Sequence, residues 1–130
     1  MRDLDASLLF YAKLGIAEAF RLYRDDGSTL IVYLQINKNQ FVELVPTPNL
    51  PASASAPDMS YHHYCLQVDD IETTVREIEA RGVVIDRPIK LGLGRNYQAW
   101  IVDPDGNRIE LMQIMPDSRQ AAAGQTWASS

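Results

Sequence analysis

One cysteine, Cys65, stands in 130 residues, so no internal disulfide can form. A lone thiol fits a reducing compartment, and a cytoplasmic protein is expected. Histidine is almost as scarce, with only two residues, His62 and His63. No apolar run approaches the roughly 20 residues that a membrane-spanning helix needs, so no membrane partner is expected. The 12 basic residues are scattered among 17 acidic ones, giving a net charge of −5. Nucleic-acid binding needs clustered positive charge, so it is not expected either. No charged-then-apolar leader pattern opens the chain. What is present is ordinary for a globular domain: 46% hydrophobic and 22% charged residues, in a length that suits one domain.

The informative feature is an internal repeat. Residues 3–16 (DLDASLLFYAKLGI) correspond to residues 70–83 (DIETTVREIEARGV), 67 positions later. The offset carries Asp3 onto Asp70, Gly15 onto Gly82, Gly27 onto Gly94 and Phe41–Leu44 onto Arg108–Leu111 without a gap. Such a repeat fixes the architecture as two copies of one supersecondary unit.

Each copy reads as a helix followed by strands. Leu4, Leu8, Tyr11, Ala12 and Leu14 form an apolar stripe, with Asp3 or Asp5 as a cap and Gly15 at the stop. Strands are predicted at 17–24, 29–36 and 40–45, separated by Asp25-Asp26-Gly27-Ser28 and Asn37-Lys38-Asn39. The second copy begins one element earlier, with a strand at 62–68. A helix then runs from about Asp70 to Arg81, followed by a short strand at 83–85, a loop from Arg87 to Gly94, and strands at 97–102 and 108–113. The predicted organisation is a single domain: module one 1–45, a proline-rich linker 46–60, module two 61–115 and a loosely held tail 116–130. In module one the counterpart of strand 62–68 falls before residue 1, so that strand is expected to be missing from this sheet. A different start, strand exchange with a partner chain or a degenerate module would each account for it.

Strand side chains alternate between faces. Val42 and Leu44 flank Glu43, and Ile109 and Leu111 flank Glu110, so both glutamates should face away from the helices. Tyr64, Leu66 and Val68 make the helix-facing set of the histidine strand, leaving His63, Cys65 and Gln67 on the open side. Pairing across the turns sets Trp100 opposite Glu110 and Tyr33 opposite Glu43. Two carboxylates and an imidazole on one face are a donor set for a divalent ion: zinc, nickel, cobalt, manganese or ferrous iron. Equally, Glu43 and Glu110 are compatible with the wet face of an antiparallel sheet. His62 reads as a surface residue at the strand start, Cys65 as a small packed residue, and Trp100 and Tyr33 as core or pocket wall. Gly92 and Gly94 read as loop residues, and Asp103 and Asp105 as turn formers.

Three segments carry a resemblance to a known family: the helix ending Phe10-Tyr11-x-Lys13-Leu14-Gly15, the strand H-x-x-L-x-V-D-D from His63, and D-P-D-G-N-x-I-E-L from Asp103 to Leu111. Over residues 2–113 the chain resembles the vicinal oxygen chelate superfamily. That superfamily includes glyoxalase I, methylmalonyl-CoA epimerase, extradiol dioxygenases and the fosfomycin- and bleomycin-resistance proteins. The resemblance implies an α+β fold of two βαβββ modules, a curved mixed sheet around a cavity with helices outside. It implies metal ligands at Glu43, His63 and Glu110, in a His-Glu-His-Glu pattern whose first histidine lies in the missing strand, which should weaken the divalent metal. It also implies proton transfer by Glu110 or Glu43 on a small molecule with adjacent oxygens, in a pocket lined by Tyr33, Cys65, Trp100 and Arg108. Arg95, Lys90, Arg21 and Arg24 are available to bind an anionic group, but no pattern marks them for glutathione. A homodimer is the implied assembly. The chemistry implied is that of a glyoxalase-I-like lyase or isomerase. The alternative is a non-catalytic protein that sequesters a small molecule, as bleomycin-resistance proteins do.

Overall fold

A computed structural model describes residues 1–49 and 61–126. Most of the predicted proline-rich linker, residues 50–60, lies outside the described residues, as does the end of the predicted tail. The chain is α+β and divides into two compact units. The first comprises Met1–Tyr61 with Asp103–Gly106; the second comprises His62–Val102 with Asn107–Ser130.

The first unit holds helix α1 (Leu4–Lys13) and strands β1 (Ala17–Tyr23), β2 (Thr29–Asn37) and β3 (Gln40–Leu44). The strands form an antiparallel sheet in the order β1-β2-β3. Of the two acids predicted as caps, Asp3 is the one used: its carboxylate accepts the Ala6 N–H at 2.9 Å. Gly15, at φ 80°, takes the left-handed conformation that closes the helix. The predicted apolar stripe is displaced. Ser7 and Tyr11, one turn apart, are the buried residues of α1, and Ala12 is exposed. The reason is polar. The Tyr11 hydroxyl donates to Asp103 at 2.9 Å inside this unit, which turns the 7/11 face inward; Ile16, Val32, Leu34 and Leu44 are buried in the same unit.

The second unit holds β4 (His63–Gln67), α2 (Ile71–Ala80), β5 (Arg87–Leu91), β6 (Tyr97–Val102), β7 (Arg108–Gln113) and α3 (Arg119–Gln125). Its sheet runs β4-β7-β6-β5, with β4 parallel to β7 and the other pairs antiparallel. Ile71, Val75 and Ile78 of α2 are buried, as are Ala99, Ile101, Ile109 and Leu111 of the sheet. The offset of 67 is visible in single hydrogen bonds. Asp70 caps α2 through Thr73 N–H as Asp3 caps α1, and Gly82 closes it at φ 89°. Val83 N–H donates to Ile78 O as Ile16 N–H donates to Tyr11 O. The parallel bridge Val68 N–H to Met112 O recurs as Met1 N to Val45 O.

Two readings of this unit change. The strand predicted at 83–85 is absent there, and the predicted loop 87–94 contains β5 instead. Pro88 cannot donate to a ladder, which disfavours a central strand. But β5 is an edge strand, and its register slips between Arg87 and Lys90, so Pro88 owes no cross-strand bond. The second change is α3, where no element was predicted. Ser118 caps it by accepting the Ala121 N–H, and the buried Asn96 anchors the approach by bonding Met115 N–H and Gln120.

Candidate functional site

The second sheet assembles the site from three neighbouring strands. Register places Cys65 beside Glu110 on β4 and β7, and Trp100 opposite Glu110 on β6 and β7. His63 Nε2 lies 3.1 Å from Glu110 Oε2. Glu110 is 6% exposed, so its charge is buried with an imidazole as partner rather than spread on a wet face. The Trp100 ring meets His63 edge-on, centroids 4.6 Å apart, and the Arg87 guanidinium sits 5.8 Å above Trp100.

Arg108 and His62 extend the pair. His62 Nδ1 lies 2.6 Å from His63 Nδ1, and Arg108 Nη1 reaches His62 Nε2 at 3.4 Å. His62 is exposed just before β4, as the sequence suggested; its ring contact with His63 was not anticipated. Strict alternation sends adjacent strand residues to opposite faces. His62 precedes the first residue of β4, so that rule does not bind it. Its adjacency to His63 was the available signal.

Glu43 and Tyr33 belong to the first unit. There they pair across β2 and β3 at the register predicted. Glu43 is exposed. Tyr33 stacks on Phe20 at 4.4 Å, and Phe41 packs against Phe20 edge-on, so this sheet carries an aromatic patch beside Glu43.

The donor set can be tested against a metal. Two ligands bonded to one ion at about 2.0–2.2 Å stand roughly 3.0–3.5 Å apart in tetrahedral or octahedral geometry. The 3.1 Å between His63 Nε2 and Glu110 Oε2 fits that spacing. Among the described residues, no three His, Cys, Asp or Glu side chains are gathered closely enough to hold an ion. The residues of the second unit thus fit two positions of a coordination shell.

Cys65 is not an activated nucleophile. Cys65 is exposed rather than packed as its sequence context suggested, but partial desolvation of the thiol, and secondarily the negative charge of Glu110, push its pKa from an ordinary 9 up to about 11. The thiolate is the reactive form, so alkylation at neutral pH should run about 100-fold slower than for an unshifted thiol. Measured against pH in metal-free protein, the iodoacetamide rate should still be climbing above pH ~9. A plateau near pH ~9 would contradict this surrounding. Glu110→Gln removes the second cause and should shift the curve towards lower pH.

Comparison with known proteins follows the same lines. Residues 1–111 match the family described as the Glyoxalase/Bleomycin resistance protein/Dioxygenase superfamily. A protein of Vibrio cholerae named probable lactoylglutathione lyase is 30% identical over 125 residues, covering 94% of this chain and 88% of its own. The structure of glyoxalase I from Leishmania major, described as trypanothione-dependent, superposes with a TM-score of 0.71 at 26% identity, covering 96% of this chain and 88% of that one. A bleomycin-binding protein in complex with bleomycin superposes with a TM-score of 0.65 at 27% identity, covering 88% and 92%.

Proposed function

The chain belongs to the glyoxalase/bleomycin resistance protein/dioxygenase superfamily, and from that premise we propose that it is a glyoxalase-I-like lyase or isomerase. It moves a carbon-bound proton on a small substrate with adjacent oxygens, such as the hemithioacetal of an α-ketoaldehyde and a thiol. The observation that carries this reading is the buried Glu110 carboxylate held by His63 at 3.1 Å. A base needs geometry first, then an environment that tunes its affinity for the proton. Glu110 has a fixed orientation and a water-poor setting, whereas Glu43 is exposed. Repeat symmetry leaves the two glutamates equal as bases; the burial of Glu110 supports it over the exposed Glu43.

His63 and Glu110 would hold a divalent ion, and Glu43 enters as a further candidate ligand on the strength of the repeat alone. Such an ion, when bound, supplies Lewis-acid polarisation of the substrate carbonyl. The protein's own share is the rest. Trp100 packs edge-on against the imidazole, His62 meets that imidazole at Nδ1, and Glu110 receives the proton. By the same family resemblance we expect a homodimer, which light scattering would check.

The second reading is sequestration of a flat organic molecule. Its support is the stack of exposed Phe20 on half-buried Tyr33 with exposed Phe41 nearby, together with the likeness to a bleomycin-binding protein. One experiment separates the two readings. Chelator-treated protein is loaded in turn with nickel, zinc, cobalt, manganese and ferrous ions and assayed with glutathione and other hemithioacetals. Metal-dependent turnover supports the lyase. No turnover with any ion, together with quenching of intrinsic fluorescence by bleomycin, overturns it in favour of sequestration.

A further inference from the structure

The contacts joining Arg108, His62, His63 and Glu110 have a direction. A guanidinium carries donors only, an ionised carboxylate acceptors only, and a neutral imidazole one of each. Arg108 can only donate to His62 Nε2, so the His62 proton sits on Nδ1. His62 Nδ1–H then donates to His63 Nδ1, 2.6 Å away, which places the His63 proton on Nε2. His63 Nε2–H in turn donates to Glu110 Oε2. In this direction every ring nitrogen has a partner; for singly protonated rings, reversing the middle bond would leave His63 Nε2 and Glu110 facing each other as two acceptors.

We propose that His62 is a positioning residue that fixes the tautomer of His63. Arg108 orients His62 from the surface side, and the chain of donors ends on Glu110. In this form His63 Nδ1 is occupied and Nε2 bears the proton. An ion taking Nε2 needs that proton on Nδ1, so His62 must first turn from donor to acceptor. The inference goes beyond the lyase reading. It is tested on metal-free protein without substrate, so its failure leaves that reading standing.

The test is imidazole ¹⁵N NMR in mildly alkaline buffer. The wild type should show His63 with a proton-bearing Nε2 and a lone pair on Nδ1, and His62 with the reverse. Glu110 also favours the His63 Nε2–H form, so the decisive comparison uses Glu110→Gln, whose amide either accepts or donates. In that background His63 should keep the Nε2–H tautomer. Adding His62→Phe should leave it mixed, and His62→Asn, whose amide donates from nearly the same place as Nδ1, should restore it. The proposal is overturned by a wild-type His63 with its proton on Nδ1, by a mixed tautomer in Glu110→Gln alone, or by no difference between the Phe and Asn variants.

Discussion

Glu110→Gln is expected to lower kcat/KM for hemithioacetal isomerisation by about 10²–10⁴-fold, the usual worth of a positioned general base. The substitution keeps the shape of the side chain and an oxygen able to accept from His63 Nε2, so the strand register of β7 should persist. What disappears is the basic carboxylate. If Glu110 receives the proton, kcat carries most of the loss. Glu43→Gln provides the contrast. Its side chain is exposed, and its expected effect falls on metal affinity rather than on kcat at saturating metal. Full activity in Glu110→Gln, with circular dichroism unchanged, would remove Glu110 from the base role. A loss confined to Glu43→Gln would assign that role to the other module.

Tyr11→Phe is expected to lower stability by about 1–3 kcal/mol, the range for losing a hydrogen bond to a charged group. Tyr11 is 2% exposed and Asp103 6%, so water does not readily replace the lost donor. Asp103 has another task, accepting the Asp105 N–H at 2.9 Å in the turn before β7. The deletion therefore strikes a helix and a turn 92 positions apart in sequence. Urea denaturation followed by fluorescence would register it as a lower midpoint with an unchanged slope. A midpoint equal to wild type would show that the hydroxyl contributes nothing net. Tyr61 gives a second readout. Its pKa is raised, by burial first and by the Asp103 charge second, so a change at Asp103 should also move the Tyr61 titration.

Much of the fold was legible because a repeat doubles the signal. Asp3 and Asp70, Gly15 and Gly82, and the Glu43–Tyr33 and Glu110–Trp100 pairs each confirm the other copy. The failures have local causes. β5 escaped notice because Pro88 is a breaker in a central strand but harmless at an edge, and position in a sheet is a tertiary fact. α3 escaped because a serine cap followed by alanines is a weak pattern until Asn96 anchors it. The Ser7–Tyr11 face of α1 was invisible because a distant aspartate, not hydrophobic period, decides it. At the site, alternation found His63, Cys65 and Glu110 but could not say that Glu110 is buried and Glu43 exposed, since the repeat makes them look alike. Nor could it show the contact between the His62 and His63 rings, which lies outside the strand's regular geometry.

The same Pro88 that hid β5 has a consequence for how the molecule behaves among its own copies. An edge strand ordinarily offers a row of free N–H and C=O groups on which another chain can grow a sheet. Along Arg87–Leu91 that row is broken by a residue with no N–H, flanked by the positive charges of Arg87 and Lys90. A second chain could not lay down a continuous ladder there without leaving bonds unmade and bringing like charges together. This border of the second sheet is therefore a poor template for strand addition.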